Sequence, residues 1–164
     1  MTASAQLRIA QKKIKNAIFQ AQKKAARELI QIIIDAIRTR VRLMHELANG
    51  SKISALEPST IKNRERYAKN LDADTSPSTS NATATGQMLN SMKGKASGTK
   101  ITIDLRTGRG KELAGNKSKL TNAQVNKYYE GKKGEWFALQ DVEKEEAISY
   151  AAEIIKEEIK KVSK

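Results

Sequence analysis

Histidine, cysteine and clustered carboxylates carry much of protein chemistry, and this sequence holds few of them. It has one histidine, His45, and no cysteine, so thiolate and disulfide chemistry are excluded. His45 has no second histidine or cysteine with which to form a metal pair. It falls within a predicted long helix, off the apolar stripe, where we expect a structural or solvated side chain.

The carboxylates do not form a catalytic cluster. A metal-dependent nuclease needs acidic ligands gathered on strands or loops, and Asp104 stands alone on the predicted hairpin. We therefore predict no catalytic, metal-binding or cofactor-binding residues and no enzymatic activity. The carboxylates near the C-terminus alternate with lysines, which is typical of a solvated helical face; they include Glu143, Glu146, Glu153 and Glu157.

A basic, glycine-rich segment over residues 107–120 is the remaining pattern that could hold a ligand. Glycine-rich loops can cradle phosphates, but the Walker pattern of glycines followed by Gly-Lys-Ser/Thr is missing here. Two interpretations stay open: a loop that contacts the DNA backbone or an acidic partner, and a solvated surface loop. Its basic residues are Arg109, Lys111, Lys117 and Lys119.

The positive charge of the chain is concentrated toward the N-terminus. The formal net charge is +13, with 23 Lys and Arg against 9 Asp and Glu in residues 1–126 and 8 against 9 in residues 127–164. Such asymmetry favours a nearby polyanion, with nucleic acid the first candidate, over a merely solubilising basic surface. The residues predicted to face DNA or a DNA channel are Lys12, Lys13, Lys23, Lys24, Arg27, Arg109, Lys111, Lys117 and Lys119.

Residues 1–49 predict one long helix, because apolar positions recur with helical spacing and no proline interrupts them. Asn49-Gly50 supplies a left-handed stop. The Leu7–Arg27 half has a basic back and is predicted to project toward a neighbour. The Leu29–Leu47 half is apolar on both sides and is predicted to pack on the hairpin and the C-terminal helix. The stripe comprises Leu7, Ala10, Ile14, Ile18, Ala21, Ala25, Leu29, Ile32, Ala36, Leu43 and Leu47, and the apolar back of the second half includes Ile37, Val41 and Met44.

Residues 50–85 predict a short helix followed by an arm. Ser59 or Thr60 is the expected N-cap, with Ile61 to Leu71 as the helix body. Residues 72–85 are rich in Ser, Thr, Ala and Asn and cannot bury enough apolar surface to order themselves. We expect a flexible or extended arm that orders against a neighbouring subunit; a disordered excursion is the alternative.

Residues 86–106 predict a β-hairpin. Ile101, Ile103 and Leu105 alternate with polar residues, and Ser97-Gly98 is a turn candidate between strands over 91–96 and 100–106. After the basic loop, residues 121–164 predict a short helix capped by Thr121 and closed at Gly131, an aromatic pair, and a helix from about Val142 to Val162. That last helix has an apolar stripe formed by Ile148, Ala151, Ala152, Ile155, Ile159 and Val162.

Together these elements predict a single α+β domain over residues 1–164, in which a long N-terminal and a C-terminal helix pack on a small antiparallel sheet. No apolar stretch approaches the 18 residues of a membrane span, and no secretory signal is visible, so we expect synthesis in the cytoplasm. The residues expected to pack or to form interfaces are Met88, Leu89, Tyr128, Tyr129, Trp136 and Phe137.

Four short segments follow one another in an order that is typical of one protein family. They are Pro58-Ser59-Thr60-Ile61-Lys62, Thr85-Gly86-Gln87-Met88-Leu89-Asn90-Ser91, Tyr128-Tyr129-Glu130-Gly131 and Trp136-Phe137-Ala138-Leu139. With the long helix, the hairpin and the C-terminal helix, this order resembles the tail-completion or neck proteins of long-tailed double-stranded DNA phages, a group that includes head–tail joining and minor tail proteins. Met88 occupies the leucine position of the second segment, unless Leu89 is shifted into it, and Trp136 replaces the family's proline.

The resemblance implies a structural virion protein without catalytic activity. Such subunits form a ring, commonly hexameric, at the head-proximal end of the tail, between the head connector or adaptor and the tail terminator or tail tube. The ring surrounds the channel through which the genome leaves, so non-specific contact with DNA is implied, and assembly takes place in the host cytoplasm. The alternative hypothesis, which rests on charge alone, is a free, basic, non-specific nucleic-acid-binding protein.

Overall fold

The computed structural model describes residues 3–106, 108–110 and 112–162. It confirms the predicted α+β class, with a long N-terminal helix, a C-terminal helix and a two-stranded antiparallel sheet. None of the helices in the described residues has the length and apolar character needed to cross a membrane. In chain order the elements are α1 (Ala3–Thr39) with a π-helical end (Arg40–Met44), α2 (Pro58–Arg66), a 3-10 turn (Ala68–Asn70), α3 (Gln87–Asn90), β1 (Met92–Ser97), β2 (Lys100–Leu105), α4 (Asn122–Lys133) and α5 (Asp141–Val162).

The chain divides into two compact units, and α1 and the hairpin contribute residues to both. The described residues of the first unit lie within Met1–Ile33, Gly94–Thr102 and Asp141–Lys164. Those of the second unit lie within Ile34–Lys93 and Ile103–Gln140.

The long helix ends earlier than predicted. Its last turn is π-helical, and His45 follows in the left-handed region with φ 57° and ψ 44°, its N–H donating to the Arg40 carbonyl. The predicted stop at Gly50 is therefore wrong, although Gly50 does have a positive φ of 81° in the next turn. His45 lies at the helix terminus, half-buried, rather than inside the helix.

The core of the first unit lies on the middle of α1. Ala21, Ala25, Ala26 and Leu29 are buried, and the last three border an apolar cavity of about 280 Å³ that is shared with the hairpin tip and α5. The α5 helix and the hairpin tip therefore contact α1 over the region around Ala25 to Leu29. Within this unit, the prediction that the Leu29–Leu47 half covers them is wrong, because the contact lies over Ala25 to Leu29, at and before the start of that half.

The buried face of α5 is also displaced from the prediction. Ala147 and Ile154 are buried, whereas Ile148 is 69% exposed. The buried face therefore turns toward Ala147 and Ile154, while Ala151 and Ile155 of the predicted stripe are half-buried and line the cavity shared with α1. Glu158, further along the same side, forms an ion pair with Lys24 of α1 at 2.7 Å. The predicted stripe also included Val162, whose side chain lies outside the described residues.

The second unit has an apolar core built around the end of α1. Leu43 and Met44, predicted to be covered, are instead 66% and 52% exposed, because the π-helical turn moves them off the apolar side. Arg40 is buried in their place. The buried apolar side chains of this unit include Ile34, Ile37, Val41, Leu47, Ile53, Met88, Leu89, Met92 and Trp136.

The segment predicted to be a flexible arm is folded within the second unit. Residues 80–83 are buried, and Asn81 is fully so. The Arg64 guanidinium of α2 donates to the carbonyls of Thr79 at 2.7 Å and Thr83 at 2.8 Å. The expectation of a flexible arm over 72–85 is therefore wrong, because hydrogen bonds to a buried arginine replace the apolar burial that the composition lacks.

The remaining boundaries differ from the predictions by small shifts. The hairpin is confirmed, with its turn at Gly98, whose φ is 62°. Helix α2 begins at Pro58, so its N-terminus uses the fixed φ of proline rather than a Ser59 or Thr60 cap. Thr121 caps α4 as predicted, but this helix passes through Gly131 and ends before Gly134, whose φ is 107°.

Candidate polyanion-binding surface

The N-terminal part of α1 extends beyond its partner helix. Within the first unit, α1 and α5 run antiparallel, since Lys24 pairs with Glu158 while Leu29 shares a cavity with Ala151. Helix α5 ends at Val162, only about 6 Å past Glu158 at 1.5 Å per residue. Residues 4–19 of α1 therefore continue for about 24 Å beyond the described end of α5.

This extension, residues 4–19, exposes apolar side chains along its length. Leu7 is 61% exposed, Ile9 46%, Ile14 54% and Phe19 45%. Leu7 and Ile14 lie on one face of the helix, on the predicted apolar stripe, whereas Ile9 and Phe19 lie on other faces. The exposed pair on the stripe is the candidate contact surface of the extension.

The basic residues of α1 lie on and next to this extension. Lys12, Lys13 and Arg27 are exposed, as the charge pattern predicts for a DNA-facing surface. Lys23 places its ammonium 4.3 Å from the centre of the Phe19 ring. Lys24 forms ion pairs with Glu158 at 2.7 Å and Glu28 at 3.7 Å, so its charge is already partnered within the first unit. The chain has no acidic residue before Glu28, so Lys12 and Lys13 carry the clearest uncompensated charge.

At the Lys24–Glu158 contact, the ionised form of the Glu158 carboxylate is favoured. Hydrogen bonds from Lys161 and Lys24 lower the pKa of Glu158 to about 2, and the same contact raises the pKa of Lys24. Glu158 is partly exposed, so water and salt weaken the interaction. The contact positions α5 beside the middle of α1 and leaves the extension uncovered.

Hydrogen bonds to helices α3 and α4 hold the basic loop of the second unit in place. The Gly110 N–H donates to the Gln87 side-chain oxygen at 2.6 Å, and the Asn122 amide donates to the Gly108 carbonyl at 2.8 Å. Lys117 and Lys119 are exposed. Arg109 is half-buried and donates to the Asn122 side-chain oxygen at 3.3 Å. Lys111 lies outside the described residues.

Arg109 lines a cavity of about 500 Å³ in the second unit, together with Arg64. Burial lowers the pKa of both guanidinium groups. The Tyr129 hydroxyl, which accepts the Ala82 N–H at 3.0 Å, also lies at this cavity, and burial raises its pKa to about 12. Tyr129 is therefore neutral at ordinary pH.

Most of the residues predicted to pack or to form interfaces pack within the second unit. Trp136 is fully buried and donates from Nε1 to the Asn126 side chain, and Phe137 packs edge-on against it with centroids 5.2 Å apart. Tyr128 is 71% exposed and is thus the member of the set that is most accessible to a partner. Met88 and Leu89 belong to the core of the same unit.

The segment Thr85–Ser91 contains α3 and is hydrogen-bonded to the end of β2. Gly86 has a φ of 69° and begins α3, and the Ser91 hydroxyl donates to the Met88 carbonyl at 2.8 Å. The Ser91 carbonyl in turn accepts the Arg106 N–H at 2.9 Å, which ties the segment to the end of β2. This segment supports the fold around the cavity.

Sequence reasoning missed the buried polar residues that organise the second unit. Arg40, Arg64 and Asn122 are at most 7% exposed, and each bonds to backbone carbonyls far away in the chain. No local sequence signal distinguishes a buried arginine of this kind from the many solvated arginines in a basic chain. The backbone carbonyls that these side chains bind come close to them only when the chain folds.

No protein-family model, curated protein or solved structure matches the chain. Among the described residues, no group of three or more His, Asp or Glu side chains is placed to hold a metal ion.

Proposed function

We propose that this protein is a structural subunit of a phage neck, completing the head-proximal end of the tail and joining it to the head connector around the DNA channel. The observation that carries the proposal is the α1 extension, residues 4–19, which exposes Leu7 and Ile14 on one face and carries basic residues but no acidic one before Glu28. A subunit that assembles around DNA needs both an uncovered apolar contact and positive charge. The order of the four sequence segments supports the same assignment.

The proposal gives the two units different tasks. The second unit is held by its own core and by buried polar contacts around Arg40 and Arg64. The extension in the first unit exposes Leu7 and Ile14 and is the part that gains most from association. A neighbouring copy that covers this stripe, repeated head to tail, closes into a ring.

The first prediction concerns the oligomer. The chain mass is 18.2 kDa, and we expect light scattering to give a multiple of it and negative-stain images to show rings. Replacing Leu7 and Ile14 together by Asp should yield monomers, because two desolvated carboxylates would enter the apolar contact. The matched control replaces Gln6 and Asn16 by Asp, which adds the same charge on the polar side of the same helix and should leave the ring intact.

Two results would contradict the neck assignment. A wild-type chain that stays monomeric both alone and with purified connector and tail-terminator proteins would remove the assembly role. Virions made without this protein should lack the head–tail joint, so heads and tails that join normally in its absence would also contradict it.

A second function, non-specific DNA binding by the free chain, is favoured by the exposed Lys12 and Lys13. If they contact phosphates, replacing both by Gln should reduce the slope of log affinity against log salt by about 2. The matched control replaces Lys156 and Lys160, which are exposed on α5 among acidic residues, and should leave the slope unchanged. An equal slope for both double variants would exclude Lys12 and Lys13 as DNA contacts.

A further inference from the structure

The cavity of about 500 Å³ in the second unit has the size and chemical make-up of a small-molecule site. One wall is formed by Arg64 of α2 and the folded segment after it. The opposite wall is formed by the loop carrying Arg109 and by helix α4. Its apolar lining includes Met88, Leu113, Leu120 and Val125, beside the rings of Tyr128 and Tyr129.

Two guanidinium groups line this cavity, and among the described residues neither is paired there with a carboxylate by a hydrogen bond. Arg64 is 7% exposed, and its two terminal nitrogens donate to neutral backbone carbonyls. The Nε of Arg109 is buried and has no hydrogen-bond partner within the described part of the chain. Burial lowers the pKa of both arginines, and the carboxylate of Glu112 only partly opposes this for Arg109. Both cations therefore retain positive charge that an anion would stabilise.

The other titratable groups at the cavity offset only part of this positive charge. Glu112 lines the cavity, accepts the Ser118 hydroxyl at 3.0 Å and places one carboxylate near Arg109, against the two guanidinium groups. Tyr129 stays neutral because burial raises its pKa to about 12. The cavity thus combines a positive end with an apolar and aromatic remainder.

We propose that this cavity binds a small organic anion, with a phosphate or carboxylate head near Arg64 and Arg109 and an apolar or aromatic body against the tyrosine and aliphatic side chains. Guanidinium groups recognise both head groups through charge-assisted hydrogen bonds. This site is independent of the proposed neck function, because it lies entirely in the second unit and uses neither Leu7 nor Ile14.

The test is calorimetric titration of the full chain with four probes: phenyl phosphate, phenylacetate, inorganic phosphate and benzyl alcohol. At least one aromatic anion should bind about tenfold more tightly than inorganic phosphate, since only the aromatic anions fill the apolar part. The tighter of the two identifies the preferred head group. Benzyl alcohol, which lacks the charge, should show no saturable binding.

Variants separate the site from general surface charge. Arg109→Gln should weaken the bound aromatic anion about tenfold or more, and the exposed control Arg106→Gln should not. Leu120→Asp, at a half-exposed cavity position, should weaken it similarly by repulsion without emptying the core. Absence of saturable binding by either aromatic anion, or equal losses for Arg109→Gln and Arg106→Gln, would overturn the proposal. Monomeric variants at Leu7 and Ile14 should still bind, which keeps this result distinct from the ring test.

Discussion

Replacing Arg40 by Met should lower the free energy of unfolding by about 3–5 kcal/mol. Arg40 is 1% exposed, and its guanidinium donates to the carbonyls of Trp136, Ala138 and Glu46. Methionine fills similar volume but leaves these carbonyls without a donor in a region with little water, and each such loss is costly. Urea denaturation of wild type and variant measures the difference.

Two further variants show whether the shape of the guanidinium is what matters. Arg40→Lys keeps the charge, but one ammonium cannot reach carbonyls spread from Glu46 to Ala138, so we expect most of the same loss. The control, Arg66→Met, removes an exposed arginine and should change stability by less than about 0.5 kcal/mol. A loss below about 1 kcal/mol for Arg40→Met would mean that water or backbone movement satisfies the carbonyls.

This contact also explains why sequence reasoning misplaced the end of the long helix. Periodicity correctly predicts that a helix runs through residues 29–39, because the pattern is local. The point where it ends depends on Arg40, whose guanidinium holds the Glu46 carbonyl and two others brought from about a hundred residues away. A distant partner of this kind has no trace in the local pattern, and the glycine at position 50 is the only visible stop signal.

For a similar reason, the local sequence does not determine which face of α5 is buried. Its apolar residues are spread widely enough that stripes centred on Ile148 or on Ala147 fit almost equally well. The Lys24–Glu158 ion pair and the small side chains of α1 near Ala25 select the second stripe. The sequence is enough to predict that a helix forms. Which side of the helix is buried depends on the element that packs against it.

The polar segment over 72–85 shows the limit of composition as a guide to order. Its few apolar residues correctly indicate that apolar burial cannot hold it. Hydrogen bonds donated by Arg64 and accepted by the Tyr129 hydroxyl hold the segment instead. Within it, Ala82 has a positive φ of 52°. The candidate cavity cannot be predicted for the same reason, because Arg64 and Arg109 line one cavity only once this segment is folded.

Replacing Gly86 by Ala should destabilise the chain by about 2–4 kcal/mol, for two additive reasons. Its φ of 69° is strained for any residue with a Cβ. A Cβ there would also lie 2.5 Å from Oδ1 of Asp72 and 2.9 Å from Nδ2 of Asn90. Neither side chain can withdraw easily, because both bind Arg42, at 2.9 Å each.

Gly98→Ala is the matched control, because Gly98 also has a positive φ, 62°, but no heavy atom lies within 4 Å of a Cβ built there. It should cost only the backbone strain, about 1 kcal/mol. The excess loss at Gly86 therefore measures the clash with Asp72 and Asn90. In an Asp72→Ala background the Gly86→Ala change should cost less than in wild type, since residues in direct contact are not additive. Equal losses at Gly86 and Gly98, or a cost at Gly86 that Asp72→Ala leaves unchanged, would show that backbone strain alone selects glycine there.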